Sequence, residues 1–143
     1  MAELSGHCLC GAVKVKAKPR TKEVGSCHCS LCRRWSAGPF TALDCGSAVD
    51  IDAGDNLGIF KSSEWAERTF CKKCGTLIAW RLQEGGEYHL SAQLFDETAN
   101  YPLGLQVFID EKPGNYSFAE QTETMTGAEV FAAFAASEES SNA

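Results

Sequence analysis

No apolar run in the 143-residue chain approaches the roughly 18 residues that a membrane-spanning helix requires, so no membrane association is expected. The opening Met-Ala-Glu-Leu-Ser-Gly-His lacks the basic and then apolar run of a secretory leader, which makes a cytoplasmic protein the expectation. A basic surplus is missing as well: 13 Lys and Arg stand against 19 Asp and Glu, a formal charge of −6. That balance argues against a general nucleic-acid binder, which neutralises phosphates with a basic face. The chain carries no phosphate loop, dinucleotide fingerprint or Ser-His-Asp arrangement, so those classes of chemistry are set aside. No internal repeat or low-complexity linker marks a boundary. Residues 1–136 therefore read as one domain, and residues 137–143, polar with nothing to bury, read as a flexible tail.

What the chain has is cysteine. Of its eight cysteines, seven fall into three clusters: Cys8 with Cys10, Cys27 with Cys29 and Cys32, and Cys71 with Cys74. In a reducing compartment such density reads as metal binding before it reads as disulfides. Hydrophobic residues make up 44% of the chain and aromatics 10%, enough to bury a core, so a metal would tie loops together rather than substitute for one.

The clusters differ in the residues C-terminal to them. Gly11 follows Cys10, and Gly75 follows Cys74; a glycine after the last ligand permits the positive-φ turn that aims backbone N–H groups at metal-bound sulfurs. After Cys32 come Arg33, Arg34 and Trp35, so the middle cluster requires another backbone, such as a helical turn. This symmetry joins Cys8, Cys10, Cys71 and Cys74 in one closed tetrahedral zinc site. Cys27, Cys29 and Cys32 remain as a triplet with one open position, the arrangement of a catalytic zinc.

Other residues enter with alternatives open. His28 could ligate, but an extended backbone points it away from its cysteine neighbours, and a half-exposed loop-shaping role is preferred. Cys45 could close the second site, although most isolated cysteines are buried small hydrophobes. His7 and His89 read as structural. Arg33, Arg34, Lys72 and Lys73 flank cysteines and can offset thiolate charge; the arginines also suit carboxylate recognition.

From Ala12 to Lys18, Val13, Val15 and Ala17 alternate with Lys14, Lys16 and Lys18, the pattern of a half-buried strand. Further short strands are expected at 40–43, 58–61, 67–70, 76–82, 88–91 and 105–109, separated by Gly, Asp, Asn and Ser. The predicted class is mostly β with antiparallel sheets. A short helix with an apolar face, containing Val130, Phe131 and Phe134, is expected over 127–136.

Three motifs in order carry a resemblance: Gly6-His7-Cys8-Leu9-Cys10-Gly11-Ala12-Val13, Cys27-His28-Cys29-Ser30-Leu31-Cys32-Arg33 and Arg68-Thr69-Phe70-Cys71-Lys72-Lys73-Cys74-Gly75-Thr76. Together with Val107-Phe108-Ile109-Asp110-Glu111-Lys112-Pro113, they resemble the glutathione-dependent formaldehyde-activating family, related to centromere protein V. The resemblance covers residues 6 to about 116. It implies a zinc-containing Mss4-like fold, structural zinc ligands at Cys8, Cys10, Cys71 and Cys74, and catalytic ligands at Cys27, Cys29 and Cys32. It also implies a carbon–sulfur lyase acting on S-hydroxymethylglutathione, the adduct of glutathione and formaldehyde. A thiol at an open zinc position would lose its proton and could attack a small carbonyl. Arg33, Arg34 and Lys112 could receive the carboxylates of such a thiol. Two zinc ions per chain are expected, the second more easily lost. The alternatives are a non-catalytic zinc interaction module and a redox or metal sensor.

Overall fold

The computed structural model describes residues 2–83 and 86–142, the last six of these by backbone alone. In chain order the regular elements are β1 (Leu4–His7), β2 (Lys14–Ala17), β3 (Val24–Cys27), α1 (Ser30–Ser36), β4 (Phe40–Gly46), β5 (Val49–Asp52), β6 (Leu57–Phe60), β7 (Ala66–Cys71), β8 (Leu77–Leu82), β9 (Tyr88–Ser91), β10 (Leu103–Val107), β11 (Glu123–Met125) and α2 (Gly127–Asn142). The fold is mostly β, with eleven strands in two sheets among the described residues. None of the described helices is long and apolar enough to cross a membrane.

The chain divides into two compact units, Met1–Val24 with Thr41–Pro102, and Gly25–Phe40 with Leu103–Ala143. In the first unit, β2 lies between β1 and β5, antiparallel to both. The alternation read in the sequence is seen in β2 and its flanks, where Val13, Val15 and Ala17 are buried and Lys14, Lys16 and Lys18 exposed. Burying each valine contributes about 1.5–3 kcal/mol relative to leaving it in water. The strands β4-β9-β8-β7-β6 lie side by side in that order, also antiparallel. One face of this array packs Leu43, Leu90, Ala79 and Thr69, all fully buried, into the core. Further along the same face Arg81 pairs with Glu67 at 2.6 Å and donates to the Tyr88 hydroxyl at 2.6 Å.

In the second unit β10 has β3 on one side and β11 on the other. The β10–β11 pairing is parallel, an exception to the antiparallel pattern expected. β10 ends at Val107, not at Ile109 as the sequence suggested, because Phe108 adopts the left-handed conformation (φ 54°) and a 3-10 turn follows over Ile109–Glu111. The carboxylates of that turn reach both helices: Glu111 accepts from the Ser30 N–H at the start of α1 (3.1 Å), and Asp110 from the Gly127 N–H at the start of α2 (2.9 Å). The Phe108 ring meets Phe131 edge-on at 5.8 Å. Of the apolar face expected on this helix, Val130 is half-buried while Phe131 stays 54% and Phe134 38% exposed. Helix α2 continues to Asn142. Of the tail expected over 137–143, the side chains and Ala143 lie outside the described residues.

Candidate metal centres

Two groups of sulfurs converge among the described residues, and they are those the spacing and glycines separate: Cys8, Cys10, Cys71 and Cys74, and Cys27, Cys29 and Cys32. Within each group all Sγ atoms lie within 4.8 Å of one another. Cys45 joins neither. It is 1% exposed, and burial pushes its thiol up to about 12, so it is an inert core residue.

The four-cysteine group lies in the first unit. Gly11 (φ 82°) and Gly75 (φ 80°) both occupy the left-handed region, and a Cβ at either would meet nothing within 4 Å; backbone conformation, not space, is what favours glycine there. Each turn closes on its first cysteine, with Gly11 N–H donating to Cys8 O at 3.1 Å and Gly75 N–H to Cys71 O at 2.8 Å. The Sγ atoms of Cys8 and Cys10 are 3.6 Å apart, and those of Cys10 and Cys71 3.8 Å. Sulfurs held 2.3 Å from a tetrahedral zinc stand about 3.8 Å apart, so the donor set and its spacing fit that ion. The Val13 N–H donates to Cys8 Sγ at 3.3 Å.

A threonine completes this group. Thr76 Oγ1 accepts from the Leu9 N–H at 3.0 Å, which leaves its own proton for Cys74 Sγ at 3.1 Å. That hydroxyl, with the Thr76 N–H, lowers the Cys74 thiol to about 5. Cys8 is also lowered: burial opposes its ionisation, but the Val13 N–H and the neighbouring sulfurs outweigh it. Cys10 goes the other way. The Ala12 N–H favours its thiolate, yet lost solvation and the sulfurs of Cys74, Cys8 and Cys71 raise it to about 11.

The triplet lies in the second unit, where strand gives way to helix. Cys27 ends β3, Cys29 is the N-cap of α1, and Cys32 is buried within that helix. The Cys32 N–H donates to Cys29 Sγ at 3.3 Å, a sulfur version of the usual oxygen cap. The thiol of Cys27, then that of Cys32, favours the Cys29 thiolate and lowers Cys29 to about 2; backbone N–H groups of Cys32 and Leu31 add to this. Cys27 goes the other way: its thiol is held protonated by hydrogen bonding to Cys29 and then Cys32, and burial raises it further.

His28 points away from the sulfurs, as the alternation of an extended chain requires. It is not half-exposed: the residue is 0% exposed. Its Nε2 lies 2.8 Å from Gln106 Oε1 and its Nδ1 2.8 Å from the Tyr116 hydroxyl. Burial holds its imidazole below the ordinary value, with Gln106 opposing. Gln106 and Tyr116 carry no metal-ligand signature in the sequence, and Tyr116 lies 88 residues from His28.

The three expected substrate cations are differently placed. Arg33 Nε donates to His28 O at 2.9 Å, which anchors the guanidinium beside the triplet. Arg34 is exposed on α1. Lys112 Nζ has its three protons directed at Pro113 O (3.0 Å), Tyr116 O (2.5 Å) and Ser117 Oγ (2.9 Å); an ammonium has no further donors.

Comparison with known proteins adds family evidence. Residues 3–111 match the model of the family described as glutathione-dependent formaldehyde-activating enzyme. A Schizosaccharomyces pombe protein named as an uncharacterized lyase is 39% identical over 131 residues, covering 91% of this chain and 96% of that protein. A Halomonas elongata protein named "Putative glutathione-dependent formaldehyde-activating enzyme" is 26% identical over 84 residues, 52% of this chain and 54% of its own length. A solved structure of a Rhodobacter sphaeroides protein superposes with a TM-score of 0.57 at 22% identity, covering 70% of this chain and 99% of that one. That likeness speaks to the fold alone.

Proposed function

Because the chain belongs to the glutathione-dependent formaldehyde-activating enzyme family, we propose that it is a zinc-dependent carbon–sulfur lyase working on the adduct of a small thiol and a small aldehyde, with glutathione and formaldehyde as the pair. The observation that carries this reading is the unequal division of sulfurs. Four converge in one group and three in the other, and no fourth Cys, His, Asp or Glu among the described residues joins the triplet. The first group then serves structure, and Cys27, Cys29 and Cys32 hold the reactive ion. A zinc held there supplies an open position at which a thiol becomes more acidic.

The protein's own residues prepare that position. The thiols of Cys27 and Cys32, and then the backbone N–H groups at the helix start, favour the Cys29 thiolate. Arg33, anchored on the His28 carbonyl, and the exposed Arg34 offer cations to the carboxylates of an acidic thiol. Lys112 contributes charge only, its donors being committed. In the synthetic direction the thiol sulfur bonds to the carbonyl carbon, the carbonyl π pair moves to oxygen, and the proton lost by the thiol ends on that oxygen. The lyase direction breaks the same carbon–sulfur bond.

The test is the rate at which zinc-loaded protein forms S-hydroxymethylglutathione from formaldehyde and glutathione. Acceleration that is lost in Cys29→Ser is the expected result. A rate equal to the spontaneous one sinks the formaldehyde and glutathione assignment, while activity with another thiol keeps the class and changes the substrate.

A further inference from the structure

His28 sits between two cysteines of the triplet and touches neither sulfur, yet every polar position it has is bonded. Its N–H donates to Val107 O at 3.1 Å, and its carbonyl accepts from Arg33 Nε at 2.9 Å. The two ring nitrogens lie 2.8 Å from Gln106 Oε1 and from the Tyr116 hydroxyl. The direction of these ring bonds can be traced from the far end. Thr122 Oγ1 donates to Glu123 O at 2.7 Å, so it accepts from Gln106 Nε2 at 3.1 Å. Gln106 therefore turns its oxygen to the ring, His28 Nε2 carries the proton, and Nδ1 accepts from Tyr116. A single tautomer and ring orientation satisfy the whole chain of bonds.

The geometry matters because Cys27 and Cys29 hang from the peptide units on either side of His28. Alternation places their sulfurs on the face opposite the ring, so whatever fixes the ring fixes the backbone from which both sulfurs project. Phe118, with its ring centroid 5.9 Å from that of His28, and Tyr116, at 5.5 Å, close the pocket around it. Three ligands without a fourth depend on a backbone already in place, since no closing ligand draws them together.

We infer that His28, clamped by Gln106 and Tyr116, is a positioning residue that sets the spacing of the Cys27, Cys29 and Cys32 sulfurs and thereby how tightly the triplet holds its metal. The inference rests on the reading that the triplet is a metal site. Partners that orient a metal site from behind its ligands change affinity by about 10- to 100-fold when removed. The effect is confined to the triplet, because the four-cysteine group draws on none of these residues.

The test uses cobalt(II) and zinc on the full chain. Cobalt titration of the wild type, followed through sulfur-to-cobalt charge-transfer absorption, establishes two sites; a single cobalt would sink the metal reading of the triplet itself, before any variant is made. Tyr116→Phe and Gln106→Leu are then compared with wild type by zinc competition against a chromophoric chelator. Both variants are expected to weaken one site by about 10- to 100-fold and to shift its cobalt spectrum. The other site should stay within about twofold of wild type. His28→Phe should exceed either, and Tyr116→Phe keeps the question answerable if His28→Phe does not fold. Unchanged affinities, or a parallel weakening of both sites together with the denaturation midpoint, would overturn the inference.

Discussion

Thr76 serves both halves of the four-cysteine group through one oxygen, accepting from Leu9 and donating to Cys74. Thr76→Val keeps the shape and removes the hydroxyl. It should lower stability by about 0.5–1.5 kcal/mol, the net value of a hydrogen bond, and speed zinc loss to a chelator, whereas Thr76→Ser should restore both; urea denaturation of zinc-loaded protein beside a chelator time course reads the difference. The cysteine division itself was legible because ligand spacing and positive-φ glycines are local properties. Thr76 was visible in the motif but not its role, since Leu9 lies 67 residues away; Gln106 and Tyr116 were hidden for the same reason. His89, in β9 with its ring 5.1 Å from that of Trp80, bears on pH. Burial holds its imidazole below the ordinary value, with Asp44 and Glu87 opposing. The unfolded chain, with a histidine value of about 6.5, then binds more protons than the folded one as pH falls. Stability is full above about 6.5 and is lost as pH drops towards the folded value. His89→Gln should flatten this acid slope by at most about 1.4 kcal/mol per pH unit, as read from urea midpoints at a series of pH values.

The helices show how elements are bounded by side chains. Helix α2 opens with a reciprocal cap: the Glu129 N–H donates to Thr126 Oγ1 at 3.2 Å, and the Thr126 N–H donates to Glu129 Oε1 at 3.0 Å. This is the capping box of threonine followed three residues later by glutamate. Thr126→Ala should cost about 0.5–2 kcal/mol in helix stability, visible as a loss of helical circular dichroism, with no change in metal content because α2 supplies no ligand. The strands read at β2, β7, β8 and β9 lie where the pattern places them, whereas β5, Val-Asp-Ile-Asp, alternates as strictly over only four residues and was not read. β1, with Leu4 as its one aliphatic residue, and β11, Glu-Thr-Met, carry no comparable pattern. They are strands because partners supply the hydrogen bonds, β2 for the first and β10 for the second. The end of β10 was misplaced because a phenylalanine at positive φ has no signature in composition.

At the scale of the molecule, the four-cysteine group joins sulfurs 61 residues apart in Cys10 and Cys71, while the triplet spans a single turn of chain. A chain emerging from its N-terminus therefore exposes Cys8, Cys10, Cys27, Cys29 and Cys32 well before Cys71 and Cys74 exist. Zinc binds unfolded cysteines as well as folded ones, so an early ion can be captured by a mixed set of these five sulfurs and hold the wrong segments together. Refolding from denaturant should consequently recover more two-metal protein when zinc is added after the chain has collapsed than when it is present from the start. Yield by size exclusion and metal content per chain measures this; equal yields would show that wrong sets exchange faster than the chain folds. The order in which the cysteines appear is thus a hazard of timing: the sulfurs that would hold zinc in the finished protein are also those that can trap it half made.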